Sequence, residues 1–115
     1  MNQTFDAQAL TELFELETDT PGLVQTLVDE YVESSLKLIN QIETAIQSDD
    51  HAKLELESHS LKSSSKVLGL NDLAALCFEV ENSAREKEVV PEVVPRLLDL
   101  RAAAVAAITA YMLSR

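Results

Sequence analysis

The feature that most constrains the fold of this chain is an apolar stripe that runs from Val24 to Ile46 without a helix breaker. Its members recur at the three- and four-residue spacing that marks one face of an α-helix. They are Val24, Leu27, Val28, Tyr31, Ser35, Leu38, Ile42, Ala45 and Ile46. Thr20 as the capping residue and Pro21 at the first helical position predict where this helix begins. We expect one long helix that ends near Gln47 and contributes a face to a helical bundle.

Shorter stretches on both sides of the long helix are also predicted to be helical. Asp6 can cap a short N-terminal helix, with Phe5 packed against it as a hydrophobic staple. The predicted apolar face of that helix consists of Leu10, Leu13, Phe14 and Leu16. Residues 48–50 end the long helix and cap the next one, which we expect to run from about His51 to Leu68. Gly69 then suits the left-handed conformation that commonly follows a helix C-terminus.

Two further helices complete the predicted architecture. Asn71 can cap a helix whose apolar stripe includes Cys77, which we interpret as a buried structural thiol. Pro91 and Pro95 are tolerated near the start of a final helix that extends to about Leu113. The predicted apolar face of this final helix consists of Val94, Leu97, Leu98, Val105, Ile108 and Met112. These helices predict an all-α fold, an antiparallel up-down four-helix bundle with a short extra N-terminal helix, formed by residues 1–115 as a single domain.

The composition agrees with an all-α domain and limits its partners. The 115 residues include only two glycines and three prolines, which fall at expected helix ends. A net charge of −11 argues against nucleic acid or an anionic membrane as a partner. The N-terminus lacks the basic and apolar regions of a signal peptide, and the single cysteine suits a reducing compartment, so we expect a cytoplasmic protein. The longest apolar run, Ala102 to Leu113, is too short to span a bilayer.

His59 lies on the outward face of its predicted helix. At 100° per residue, the positions roughly opposite it, at about 180–240°, are Leu54, Leu61, Ser65 and Leu68. Those within about 60° of it are Glu55, Lys62, Ser63 and Lys66. A neutral imidazole can attack phosphorus without a general base, and Lys62 and Lys66 could steady the negative phosphoryl group. Glu55 could accept a proton from one ring nitrogen, and the small Ser63 leaves room for a partner.

On physical grounds alone, His59 is explained equally well as an ordinary surface histidine. The sequence gives little support to nucleotide or metal chemistry. Glycine motifs that cradle phosphate are absent, so we expect no ATP site and no autokinase activity. We also expect no metal site. His51 and His59 are eight residues apart, too far to chelate one ion, and Glu55 with His59 supplies only two ligands.

The segment from His59 to Gly69 resembles a family signature. It reads His-Ser-Leu-Lys-Ser-Ser-Ser-Lys-Val-Leu-Gly, and the positions that continue the pattern are Leu73, Cys77 and Glu81. This pattern is similar to the signature of histidine phosphotransfer (HPt) domains. The resemblance implies that His59 takes a phosphoryl group from an aspartate of one receiver domain and passes it to an aspartate of another. Lys62 would stabilise the phosphoryl group.

The resemblance also implies the partners and the cofactor requirement. The partners would be response-regulator receiver domains, with a hybrid histidine kinase as a second candidate, and the carrier would be a monomer. The chain would bind no cofactor, because the receiver supplies the acidic residues and Mg²⁺. Ser63 departs from the family glycine at that position, but its small side chain should still permit docking. Leu56 and Val67, about 60–80° from His59, are candidates for the docking rim, and we select Leu56, although both could equally belong to the core.

Two alternative functions remain open from the sequence. The chain could be an HPt-like adaptor that binds receivers without carrying phosphate, which the presence of both His59 and Lys62 disfavours. It could also be the dimerisation and phosphoacceptor part of a sensor histidine kinase. That class typically follows its histidine with an acidic residue and a nearby proline, whereas Ser60 follows here and no proline is close.

Overall fold

The computed structural model describes residues 5–115. Met1–Thr4, which form part of the segment used above to argue against a signal peptide, lie outside the described residues. Within residues 5–115 the secondary structure is entirely helical, and the helices are α1 (Ala7–Glu15), α2 (Leu23–Gln47), α3 (His51–Val67), α4 (Asn71–Glu86) and α5 (Val93–Leu113). A 3₁₀ turn, Leu16–Asp19, connects α1 to α2.

Helices α2 to α5 form the bundle, and each packs against its neighbours in the order α2, α3, α4, α5, with α5 closing back on α2. Short connections between consecutive packed helices make them antiparallel. The predicted all-α four-helix bundle with a short extra N-terminal helix is therefore confirmed. No helix in the described part of the chain is both long and apolar enough to cross a membrane.

The core runs along the bundle axis and is built from the faces that the three-four spacing predicted, except that on α2 the fully buried residue is Ile39 rather than the predicted Leu38, which is only partly buried. Its fully buried side chains include Leu10, Val24, Ile39, Ile42, Leu54, Leu61, Leu73, Cys77, Leu97 and Ile108. Two predicted core positions are wrong. Leu16 is 66% exposed because it lies in the 3₁₀ turn, beyond the face that α1 presents. Leu98 is 39% exposed because Leu97, 100° away on α5, takes the core-facing direction.

The helix N-termini confirm some predicted caps and correct others. The carboxylate of Asp6 accepts a hydrogen bond from the amide of Gln8, and that of Asp50 accepts one from Lys53, as expected of N-caps. Thr20 does not cap α2. This helix begins at Leu23 after Gly22, whose φ of 81° turns the chain. A distant side chain replaces the cap, because the amide of Val24 donates to Glu17 Oε1 at 2.9 Å.

The start of α4 also differs from the prediction. Asn71 is the first helical residue rather than the cap, and Leu70 occupies the N-cap position without a side-chain hydrogen bond. Leu70 is fully buried. The connection between α3 and α4 is therefore anchored by an apolar side chain in the core, and the helix start follows from that anchor.

Gly69 in the same connection fixes where α3 ends. Its φ of 75° confirms the predicted left-handed conformation. The carbonyl of Gly69 also accepts a hydrogen bond of 2.7 Å from the amide of Asp6, which ties the start of α1 to this turn. A Cβ at this position would overlap the Asp6 carbonyl oxygen and approach the Ala9 Cβ to 2.9 Å. Only glycine satisfies both the backbone angle and the close approach.

One buried and one partly buried polar contact set the position of α2 in the bundle. The Tyr31 hydroxyl on α2 and the Ser65 hydroxyl on α3 form a buried hydrogen bond of 2.8 Å. From α5, Arg101 donates to the Ser35 hydroxyl at 2.8 Å and to the Val32 carbonyl at 2.6 Å. These directional bonds fix the rotation of α2 about its axis in a way that apolar packing alone would not.

Candidate functional site

His59 lies on the solvent-facing crest of α3, as its angular position predicted. Its side chain is 55% exposed, whereas Leu54 and Leu61 on the opposite face are buried and hold the helix against the core. The ring is not free to rotate, because Nδ1 lies 2.9 Å from Oε2 of Glu81 on α4. The imidazole is thus anchored by one nitrogen.

Glu81 is the centre of the site and is a buried acidic residue, 3% exposed. Three basic side chains surround its carboxylate. Lys62 Nζ donates to Oε1 at 2.6 Å, while the Arg85 guanidinium donates to Oε2 at 3.1 Å, beside His59 Nδ1. A buried carboxylate is tolerated in the bundle because both of its oxygens accept hydrogen bonds from basic side chains.

The same contacts lower the pKa of Glu81 below its ordinary value. The hydrogen bond from Lys62 is the largest cause; burial opposes it, and the hydrogen bond with His59 adds to the lowering. Glu81 is therefore ionised near neutral pH. An ionised carboxylate can only accept hydrogen bonds, so the proton shared with His59 resides on Nδ1 of the ring. This tautomer leaves the lone pair on Nε2, the nitrogen not bonded to Glu81.

Lys62 lies in the seam between α3 and α4. Its side chain is only 15% exposed, and its ammonium lies 5.0 Å from the centroid of the Phe78 ring in addition to its bond with Glu81. Lys66, the other lysine that the sequence placed near His59, is exposed and lies outside this hydrogen-bonded network. Of the two lysines, the structure brings Lys62 into the cluster.

Contrary to the prediction, Glu55 does not contact His59. Its carboxylate accepts a hydrogen bond of 2.5 Å from Nε of Arg85. Antiparallel packing explains the difference, because Arg85 lies one turn after Glu81 on α4 and therefore opposite Glu55, one turn before His59 on α3. The carboxylate that contacts His59 comes from the neighbouring helix, and Glu55 contacts the cluster only through Arg85.

Two apolar side chains are exposed on the outer face of α3. Leu56 is 62% exposed and Val67 is 53% exposed, so neither is a core residue. A shallow groove of about 220 Å³ between α2 and α3 is lined by Leu27, Glu30, Tyr31, Ser34, Ser64, Val67 and Leu68. Ser63 is exposed on the same face of α3 and adds little bulk. The groove therefore lies about two turns further along α3 than His59, whereas Leu56 shares a shallow pocket with His59, Glu81 and Arg85.

Other reactive groups lie away from the site or are inert. Burial raises the pKa of the Cys77 thiol to about 12, so the thiol stays protonated and agrees with the predicted structural role. Within residues 5–115, no group of three or more His, Cys, Asp or Glu side chains is placed to hold a metal ion.

Three residues of the cluster, namely Glu81, Arg85 and Phe78, received no role from the sequence. Glu81 was recognised only as part of the family pattern. One signal was present, because it lies in the apolar stripe of α4, four residues after the buried Cys77 and three before the buried Ala84. A glutamate in such a stripe requires a cationic partner. The partner itself depends on how the helices pack and could not be read from spacing.

Comparisons with known proteins identify the family to which this chain belongs. The Hpt domain family matches residues 26–108, which is more than half of the chain. The chain belongs to the family of histidine phosphotransfer (Hpt) domains. A search of curated proteins finds no match.

Among solved structures, the fold is similar to the crystal structure of histidine-containing phosphotransfer protein B (HptB) from Pseudomonas aeruginosa PAO1. The TM-score is 0.88 at 24% sequence identity, and the alignment covers 100% of this chain and 99% of that one. At this identity the similarity establishes the shared fold.

Proposed function

We propose that this protein is a phosphorelay carrier in which His59 is the phosphoacceptor. The observation that carries the proposal is an exposed imidazole whose Nδ1 is held by the buried Glu81 carboxylate, so that Nε2 is directed to the nucleophilic role. The phosphoryl group would come from an aspartyl phosphate of one receiver domain and go to an aspartate of another. Membership of the Hpt family supports this class of reaction.

The chemistry follows from the proposed tautomer. The Nε2 lone pair attacks phosphorus, the N–P bond forms, and the bond from phosphorus to the aspartate oxygen breaks as the carboxylate leaves. The ring keeps its proton on Nδ1 and becomes cationic, and the ionised Glu81 lies against that positive charge. In the onward step, a carboxylate oxygen of the acceptor aspartate bonds to phosphorus as the N–P bond breaks. Neutral imidazole leaves, and it is a better leaving group than an imidazolate.

Lys62 is proposed to stabilise the phosphoryl group. It bonds to one oxygen of the Glu81 carboxylate while His59 bonds to the other, so its ammonium lies beside the imidazole. A cation beside the transferring group offsets its negative charge in both directions of transfer. Lys66, Glu55 and Ser63 are proposed as supporting residues, of which Lys66 has the flexibility to approach a bound partner from solvent.

Receiver docking is proposed for the α2–α3 side of His59. Leu56 offers exposed apolar surface in the same pocket as the histidine, and Val67 with the groove of about 220 Å³ extends that surface about two turns along α3. Ser63 leaves clearance for the partner backbone. We further propose that the protein acts as a monomer in the cytoplasm with residues 1–115 as one domain. The receiver would supply the acidic residues and Mg²⁺, as the family resemblance implies.

A transfer assay tests the proposal, with the second histidine as a matched control. A receiver domain carrying radiolabelled aspartyl phosphate is mixed with wild type, His59→Gln and His51→Gln. We expect acid-labile, base-stable label on wild type and on His51→Gln, and none on His59→Gln. Label that persists in His59→Gln would refute the assignment. Receiver binding without any label on wild type would instead favour a binding-only adaptor.

A further inference from the structure

Phe78 is unusual among the aromatic residues of this chain. The sequence holds three phenylalanines, two tyrosines and no tryptophan. Tyr31 is buried, and Phe5, Phe14 and Tyr111 pack together where α1 meets the end of α5. Phe78 alone among them is exposed, at 50%, and it lies on the edge of α4 that borders α3. Packing in the core therefore does not explain why a phenylalanine stands at this position.

The side chain that Phe78 contacts is Lys62. The ammonium lies 5.0 Å from the ring centroid, within the range in which a cation is attracted to the face of an aromatic ring. The same ammonium is also bonded to Glu81 at 2.6 Å. Lys62 is thus held between a carboxylate and a ring, and its side chain is only 15% exposed.

A ring has a property here that a second carboxylate would lack. The phosphoryl group proposed on His59 is negative, and the chain already carries a net charge of −11. A second acidic partner for Lys62, in addition to Glu81, would compete with the phosphoryl oxygens for the ammonium and would repel them. A phenyl ring attracts the cation through its quadrupole without adding negative charge. It also limits the rotamers of a long side chain that is otherwise flexible.

On the basis of the proposed phosphoacceptor role of His59, we infer that Phe78 is a positioning residue that keeps the Lys62 ammonium beside the imidazole when the phosphoryl group arrives. Phe78 acts through Lys62 and does not touch the phosphoryl group. The effect on the rate follows from the strength of the contact. A cation–π interaction of about 1 kcal/mol corresponds to roughly a fivefold change in rate.

The test uses a phosphodonor that has no docking surface. Phosphoramidate transfers its phosphoryl group directly, because the Nε2–P bond forms as the donor P–N bond breaks and ammonia leaves. We would measure phosphohistidine formation for wild type, Phe78→Leu, Phe78→Tyr, Lys62→Met and the double variant Phe78→Leu/Lys62→Met. Leu36→Ala, at an exposed apolar position on α2, is the control for loss of exposed apolar surface. Melting temperatures confirm that each variant is folded.

We expect Phe78→Leu to slow phosphorylation about fivefold and Phe78→Tyr, which retains the ring, to stay within about twofold of wild type. In the Lys62→Met background, Phe78→Leu should have no further effect, because its role depends on the lysine. Unchanged rates in Phe78→Leu would overturn the inference, as would a loss that persists without Lys62.

Transfer from a phosphorylated receiver completes the test and separates two kinds of failure. A Phe78→Leu variant that loses apparent receiver affinity but keeps its limiting transfer rate would show a docking contact and overturn the positioning role. This comparison also decides the question if phosphoramidate labels wild type too slowly to measure. If the wild type forms phosphohistidine with neither donor, the proposed function itself is overturned. If the wild type is labelled and the Phe78 variants are labelled at the same rate, only the inference about Phe78 is overturned.

Discussion

Replacing Glu81 by glutamine removes the negative charge at the centre of the site while keeping the size of the side chain. The carboxylate accepts hydrogen bonds from Lys62, His59 and Arg85, at 2.6, 2.9 and 3.1 Å. A glutamine amide can keep one acceptor but presents NH₂ donors on its other side. An NH₂ group facing Nδ1 of His59 would favour the opposite tautomer, with the proton moved to Nε2 and the nucleophilic lone pair lost from it.

The magnitude follows from the interaction that is removed. A hydrogen bond to a charged group contributes about 1.5–3 kcal/mol, and each 1.36 kcal/mol in the barrier is tenfold in rate. We therefore expect Glu81→Gln to slow single-turnover transfer from a phosphorylated receiver by roughly 10- to 100-fold. Receiver affinity should change little, because Glu81 is buried and offers a partner almost no surface.

The control for Glu81→Gln is Glu79→Gln, which removes an exposed charge from the same helix. That variant should transfer at the wild-type rate. Acid unfolding supplies an independent check. The lowered pKa of Glu81 contributes stability that is present above its ordinary value of 4.5 and is lost as the pH falls through the folded-state pKa. Glu81→Gln should therefore show a weaker acid dependence than wild type, and wild-type transfer by Glu81→Gln would refute the role assigned to the carboxylate.

Three further predictions concern the scaffold. Gly69→Ala should lower the free energy of unfolding by more than about 2 kcal/mol, because this position combines a φ of 75° with steric overlap. Gly22→Ala, at a φ of 81° but in open space, should lower it by only about 1 kcal/mol. Equal losses for the two variants in urea titrations would contradict this. The buried Cys77 thiol should resist a thiol reagent at pH 8, and rapid labelling of the folded protein would contradict its burial. Because folding raises the pKa of this thiol from 9.0 to about 12, the free energy of unfolding should fall as the pH rises between these two values. Tyr31→Phe should destabilise by about 1–2 kcal/mol by leaving the buried Ser65 hydroxyl without its partner, and an unchanged denaturation midpoint would disprove the importance of that bond.

The fold was predictable because helix periodicity is a local property. The spacing from Val24 to Ile46 depends only on the order of residues, and the structure places a helix there with the expected face inward. Predictions failed where a local pattern met a tertiary constraint. Thr20 is a good cap by residue type, but Gly22 and the Glu17 side chain determine where α2 begins. Leu16 fits an apolar face, but the 3₁₀ turn directs it to solvent.

The site was only half predictable for the same reason. The outward direction of His59 and the nearness of Lys62 follow from 100° steps on one helix. The carboxylate that holds His59 comes from another helix, 22 positions along the chain, and this contact depends on how far α4 is shifted along α3. Spacing therefore suggested Glu55, the acidic residue one turn away on the same helix. Only the packing of α4 identifies Glu81 as the partner and assigns Glu55 to Arg85.

The most direct test of the proposed function is to determine which nitrogen carries the phosphoryl group. Long-range ¹H–¹⁵N and phosphorus NMR spectra of phosphorylated protein distinguish Nε2 from Nδ1 of each histidine. We expect phosphorus on Nε2 of His59, with the proton retained on Nδ1 against Glu81. Phosphorus on Nδ1 of His59, or on His51, would contradict it.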